Sequence, residues 1–283
     1  MSDGIATALA RIAALQGALN AGSSEAWDDT DDDVLDEVAL DADQNGAPGA
    51  ASEAESHRLR DPDNCCPQLS AVDLGGMLAV SYHGSPYEGW ELVAELLGDP
   101  AIAAEIGQLR IGGPDEGANG MRSWDFTSLI DAAPRFAKLR DFRISPSDPG
   151  DHNQAAVEDD QLLDLIALMP GLVRLVLPQA PEPGFFACDL PELQSIRTGG
   201  DHRTRDFIHH LADATLPSLG FVDFADSLAP FLMLDEQPPD WPSTPFEDFE
   251  RLFRSPMMEQ CWGFRLRNAR LTALFSLLLV WAC

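Results

Sequence analysis

Four stretches of this chain space their apolar positions alike. They are FAKLRDFRI (136–144), MPGLVRLVL (169–177), LPELQSIRT (190–198) and LPSLGFVDF (216–224). Each opens on a large apolar residue, and in three of them proline follows. Leucine stands fourth in all of them, as Leu139, Leu172, Leu193 and Leu219. The seventh place is apolar throughout (Phe142, Leu175, Ile196, Val222), and three stretches close on an apolar ninth residue, Ile144, Leu177 or Phe224. Two flanking triplets keep the core spacing: Ile106, Leu109, Ile111 and Cys261, Phe264, Leu266. Apolar residues two apart share one face of a strand. Each stretch therefore predicts a turn followed by a short strand. Between the strands the apolar spacing is helical. It places Phe126, Leu129, Ile130 and Ala133 together, then Leu162, Leu165, Ile166 and Met169, then Phe207 and Leu211, then Phe249, Leu252 and Phe253.

As a set these stretches resemble the leucine-rich repeat, whose signature is L-x-x-L-x-L-x-x-N/C-x-L. The likeness is to the irregular repeats of ribonuclease-inhibitor-like and bacterial cytoplasmic members, and it spans about 90–283. It implies an α/β solenoid with a parallel concave sheet and helices on the convex side. One such unit cannot bury its own apolar face, so units must stack. The repeat domain is assigned to 67–283, with repeats clearest over 106–271. The central positions 109, 142, 175, 196, 222 and 264 are separated by 33, 33, 21, 26 and 42 residues, an irregular array. The Asn of the signature is recognisable only at Asn268, one place early. An ordinary α/β domain with Pro-Leu helix exits is the competing reading.

Upstream, residues 1–19 read as an amphipathic helix with Ile5, Leu9, Ile12 and Leu19 on one face. Residues 20–66 are rich in Asp, Ala, Gly, Ser and Glu, and include the acidic run DDTDDDVLDE (28–37). Such a stretch buries too little apolar area to offset its ordering entropy, so a flexible, disordered acidic arm is expected. Within it, DADQNG (41–46) begins like an EF-hand loop, with Asp41, Asp43, Asn45 and Gly46 in place. The twelfth position is Ser52 and Pro48 interrupts, so a polar linker is the reading. At the other end, FSLLLVWAC (275–283) reads as a cap over the last repeat or an incomplete reading frame, ahead of a dimer contact.

Charge narrows the partners. There are 47 acidic residues against 18 basic ones, a net charge of −29. Such a chain repels nucleic acid and anionic membrane unless its basic residues are gathered in one place. The N-terminus lacks a basic start followed by an apolar run. The longest apolar run, 271–283, is shorter than the about 20 residues a bilayer needs. The five cysteines (Cys65, Cys66, Cys188, Cys261, Cys283) fit no disulfide framework, so reduced thiols in a cytoplasm are expected. Cys65 and Cys66 could join His57 or His83 on a metal, but no CxxC pair supports a zinc site. No GxSxG, P-loop, HExxH or GxGxxG is present. His209–His210 falls in a helical stretch. The expectation is a protein without catalytic residues, metal or cofactor.

The gathered basic residues are in the strands. In the L-x-L pattern the residue between the two inward positions faces outward. That place reads Arg110, Arg143, Val176, Arg197, Asp223 and Arg265, with Arg174 and Arg267 at neighbouring outward places and Phe221 as an apolar anchor. Guanidinium groups pair bidentately with carboxylates or phosphates. The functional expectation is a protein–protein interaction module that holds an unidentified protein partner on its concave strand face. An intramolecular contact with the Asp28–Glu37 arm is a variant of it. The alternative is an acidic inhibitor or immunity-type protein that sequesters a basic enzyme or toxin through its acidic surface.

Overall fold

The computed structural model describes residues 2–28, 67–87, 89–113, 120–145, 153–158, 161–199, 206–226 and 244–267. The acidic run beyond Asp28, the calcium-like stretch, Cys65, Cys66, Asn268 and the apolar C-terminus lie outside these residues. Helix α1 (Asp3–Asp28) leads to a hairpin, β1 (Gln68–Asp73) and β2 (Leu78–His83). Then follow α2 (Trp90–Leu97), α3 (Pro100–Ala103), β3 (Ile106–Gly112), β4 (Gly120–Trp124), α4 (Thr127–Ala132), β5 (Asp141–Ile144), β6 (Asn153–Val157) and α5 (Gln161–Ala167). The chain continues through β7 (Arg174–Val176), a 3-10 turn (Pro183–Ala187), β8 (Ser195–Gly199) and α6 (Phe207–Ala212). It closes with β9 (Phe221–Ala225), α7 (Phe246–Phe253), α8 (Pro256–Gln260) and β10 (Gly263–Arg267).

Among the described residues eight strands form one sheet in the order β1-β2-β3-β5-β7-β8-β9-β10. Only β1 and β2 are antiparallel; from β2 onward every pair is parallel. From β2 to β10 each new strand of this sheet is added beside the previous one. Parallel neighbours need a crossover, and the helical stretches supply it. The register follows the sequence pattern. Leu109 stands opposite Phe142, Phe142 opposite Leu175, Leu175 opposite Ile196, Ile196 opposite Val222, and Val222 opposite Phe264.

The turn that enters each strand is also repeated. Leu139, Leu172, Leu193 and Leu219 each donate their backbone N–H to the carbonyl three residues back, on Phe136, Met169, Leu190 and Leu216, at 3.1–3.2 Å. The next unit's backbone then bonds the previous one. Val173 and Arg174 both donate to Arg140 O, Gln194 and Ser195 to Val173 O, and Gly220 and Phe221 to Gln194 O. The inward side chains, together with Leu129, Leu165, Phe207, Leu211, Phe249 and Leu252 from the helices, make one buried cluster. At the β2–β3 end of the sheet Tyr82, Trp90, Trp124 and Phe126 stack edge-on or tilted within it. Trp90 donates its indole N–H to Asp125 O.

Two expectations need correction. The N-terminal helix does not stop at residue 19 but runs to Asp28, so the stretch assigned to a flexible arm from residue 20 begins as helix. It also belongs to the main core, through Ile5, Ala8, Ile12 and Leu19. Its docking ties it to the sheet. Gln16 of α1 donates to Pro67 O (3.0 Å) and accepts from Leu69 N, so its amide pairs with the free edge of β1. The second difference is a separate two-stranded parallel sheet, β4 with β6, which the apolar pattern does not announce. Among the described residues no helix is long and apolar enough to cross a membrane.

Candidate interaction surface

Strand periodicity and parallel register together decide what the outer face of the large sheet carries. Across that face the residue opposite Arg110 is Arg143, and the row continues through Val176, Arg197, Asp223 and Arg265. These residues are thus brought into one line across six strands. One row toward the strand starts lie Gln108, Asp141, Arg174, Ser195, Phe221 and Gly263; one row toward the ends, Gly199, Ala225 and Arg267. Arg110, Arg174, Arg197 and Arg265 are exposed, whereas Arg143, Phe221 and Arg267 are half-buried.

The row is not a stripe of free cations. Arg143 makes a two-pronged pair with Asp141, Nε–Oδ1 2.6 Å and Nη2–Oδ2 2.5 Å. That pair holds the Arg143 guanidinium more strongly protonated than usual, against a smaller opposing effect of burial. Asp223 is buried in the middle of the face and gathers three arginines. Arg267 Nε lies 2.5 Å from it, and Arg197 and Arg265 lie at 3.8 Å. A buried carboxylate needs such partners, because an isolated buried charge is costly. Sequence reasoning passed over Asp141, though D-x-R on one strand places both side chains on one face. Among the described residues no acid lies within salt-bridge distance of Arg110 or Arg174. On the outer positions of the sheet six arginines oppose two aspartates, which leaves four positive charges on one face of a chain of net charge −29.

A cleft of about 550 Å³ opens where β7–β10 begin. Arg174, Gln194, Ser195, Ser218, Gln260 and the aromatic pair Phe221–Trp262 line it, over the backbone of Gly220. Trp262 is 78% exposed and stacks on Phe221 with ring centroids 5.1 Å apart and planes at 23°. Glycine makes the stack possible. A Cβ on Gly220 would lie 2.4 Å from the Trp262 indole, and one on Gly263 would lie 2.7 Å from the Phe221 ring. Sequence reasoning missed Trp262. The equivalent place in the other units is Gly107, Arg140, Val173, Gln194 and Gly220, so no repeated aromatic signal marks it. The one local hint is a Trp set beside the glycine of a strand start.

His209 and His210 lie on the helical side, in α6, and Cys188 and Cys261 pack against the core. His209 Nδ1 lies 2.8 Å from Asp248 Oδ1, and Arg251 contacts both the His209 ring and Asp213, tying α6 to α7. His210 stacks on Phe186. Burial pushes the thiols of Cys188 and Cys261 up, away from the reactive thiolate. Among the described residues no three of His, Cys, Asp or Glu converge as metal ligands would. Compared with protein-family models, curated proteins and solved structures, the chain matches none.

Proposed function

We propose that the chain is a leucine-rich-repeat solenoid with irregular repeats, acting in a cytoplasm as a non-catalytic binding module. A partner protein lies against the outer face of the sheet. Three features support the architecture: strands added in chain order, a repeated entry turn, and one row of inward apolar residues. The observation that carries the function is the row Arg110–Arg143–Val176–Arg197–Asp223–Arg265, in register on the outer face of the sheet, with Arg110, Arg197 and Arg265 exposed. It gathers positive charge in a strongly acidic chain. An acidic partner surface complements it, gaining steering and specificity from the charges.

A second reading is an acidic inhibitor that sequesters a basic enzyme or toxin. The observation that favours it is the row of exposed acids on the helices, including Glu91, Asp131, Asp164, Glu247 and Glu259. The two readings use different faces. The test is capture of partners from source-cell lysate by the full chain and by an Arg110→Glu/Arg265→Glu variant. Both side chains are exposed, and Arg265 lies 3.8 Å from Asp223, so the urea midpoint of the variant is measured beside the capture to show that it folds. A partner lost with the variant is the expected result. A basic partner kept by both baits would support the inhibitor reading instead.

A further inference from the structure

The rim cleft at Phe221 and Trp262 differs from the central row, because it joins an exposed aromatic shelf to a cation, Arg174, that has no acid within salt-bridge distance among the described residues. We propose that it is a specificity pocket for an acidic peptide segment bearing an apolar side chain, supplied by the partner protein; this rests on the binding-module reading above. The apolar half of the argument is the shelf. An indole 78% exposed normally costs hydration, yet here two glycines hold it flat against Phe221. An exposed Trp held rigid beside an Arg is the composition of an interaction hot spot. The polar half is Arg174, with Gln194, Ser195 and Ser218 as further hydrogen-bonding groups on the cleft wall. An apolar side chain on the indole and a carboxylate on Arg174 would satisfy both halves.

The chain's own acidic run has this composition, with Val34 and Leu35 amid aspartates. Chain length measured from Asp28 is too short to bring Val34 to the cleft of the same molecule. Helix α1 runs from the strand starts, where Gly4 faces Glu105, to the strand ends, where Leu19 and Tyr82 both face Gly89. Asp28 therefore lies past the ends of the strands, about 14 Å beyond Leu19. The cleft lies at the strand starts, five strand spacings further along the sheet, roughly 40 Å from Asp28 in all. The six residues from Asp28 to Val34 span about 20 Å at full extension. The probe below therefore stands in for an acidic segment of the partner protein.

This permits a defined probe. A fluorescein-labelled peptide of sequence DDTDDDVLDE is titrated with the full chain at low ionic strength and followed by anisotropy, beside a twin in which its Val and Leu are Ser. The expected result is binding that weakens with salt and is at least about tenfold tighter than the twin's. Trp262→Ala and Arg174→Glu should each weaken it about tenfold. Gly220→Ala should do so too, because it displaces the indole without removing any side chain of the face. Absent binding, equal binding of the twins, or indifference to Trp262 and Gly220 would overturn the proposal. Failure here leaves the binding-module reading standing if the lysate partner is still lost on Arg110/Arg265 reversal. A partner kept despite that reversal sinks the reading itself, whatever the peptide does.

Discussion

At the residue scale, close backbone approach and burial set the sensitivities. A Cβ on Gly113 would lie 2.3 Å from Gly84 O, a backbone atom that cannot rotate away. Gly17 sits exposed within α1 with nothing within 4 Å of such a Cβ. Gly113→Ala is therefore expected to cost about 1–3 kcal/mol, and Gly17→Ala to stabilise by about 0.5–1 kcal/mol; urea midpoints measure both. His83, exposed at the end of β2, titrates low, first because partial desolvation disfavours its charged form and then because Arg122 repels it. Below the ordinary imidazole value of 6.5 the unfolded chain takes up a proton that folded His83 resists, so stability is lost as pH falls. Asp125 is held low by bonds from Thr127 and Gln161, and adds a second loss below the ordinary carboxylate range. Relief of acidic self-repulsion acts in the opposite sense. The His83 share is read by comparing wild type with His83→Gln. The fall in urea midpoint from about pH 8 to about pH 5 should shrink in the variant.

At the element scale, the pairing of α1 with β1 closes one edge of the sheet. An unpaired strand edge invites association. Gln16 satisfies two of its groups at once, so Gln16→Ala is expected to cost about 1–3 kcal/mol and to raise hydrogen exchange at Leu69. This element also shows where the sequence was legible. The strands and their register were, because Leu139, Leu172, Leu193 and Leu219 recur at one offset from inward residues that then pair across the sheet. So were the helices near Leu129, Leu165 and Phe207, whose spacing exposes their buried stripe. The extension of α1 to Asp28 was not, since residues 20–28 carry no apolar stripe and composition alone suggested a solvated arm. The strands β4 and β6 were hidden for the same reason. Their pairing is non-local, and neither GMRSW nor NQAAV alternates. The outward row was legible from period two, but its neutralisation by Asp141 and Asp223 required register, and the Trp262 shelf required knowing that Gly220 lies beneath it.

At the scale of the whole molecule, the account makes one face adhesive and the other solvating. Helices and inward residues share a single core, which leaves the outer strand positions for recognition. Val176 sits at the middle of that face, between Arg143 and Arg197. Asp164 is exposed on α5, on the helical side. A photo-reactive amino acid placed at Val176 or at Asp164 of the full chain, and irradiated in source-cell lysate, reports directly which face is occupied. The account predicts a discrete protein adduct from position 176 that is lost on Arg110→Glu/Arg265→Glu reversal, and none from position 164. Adducts from 164 with none from 176 would contradict it.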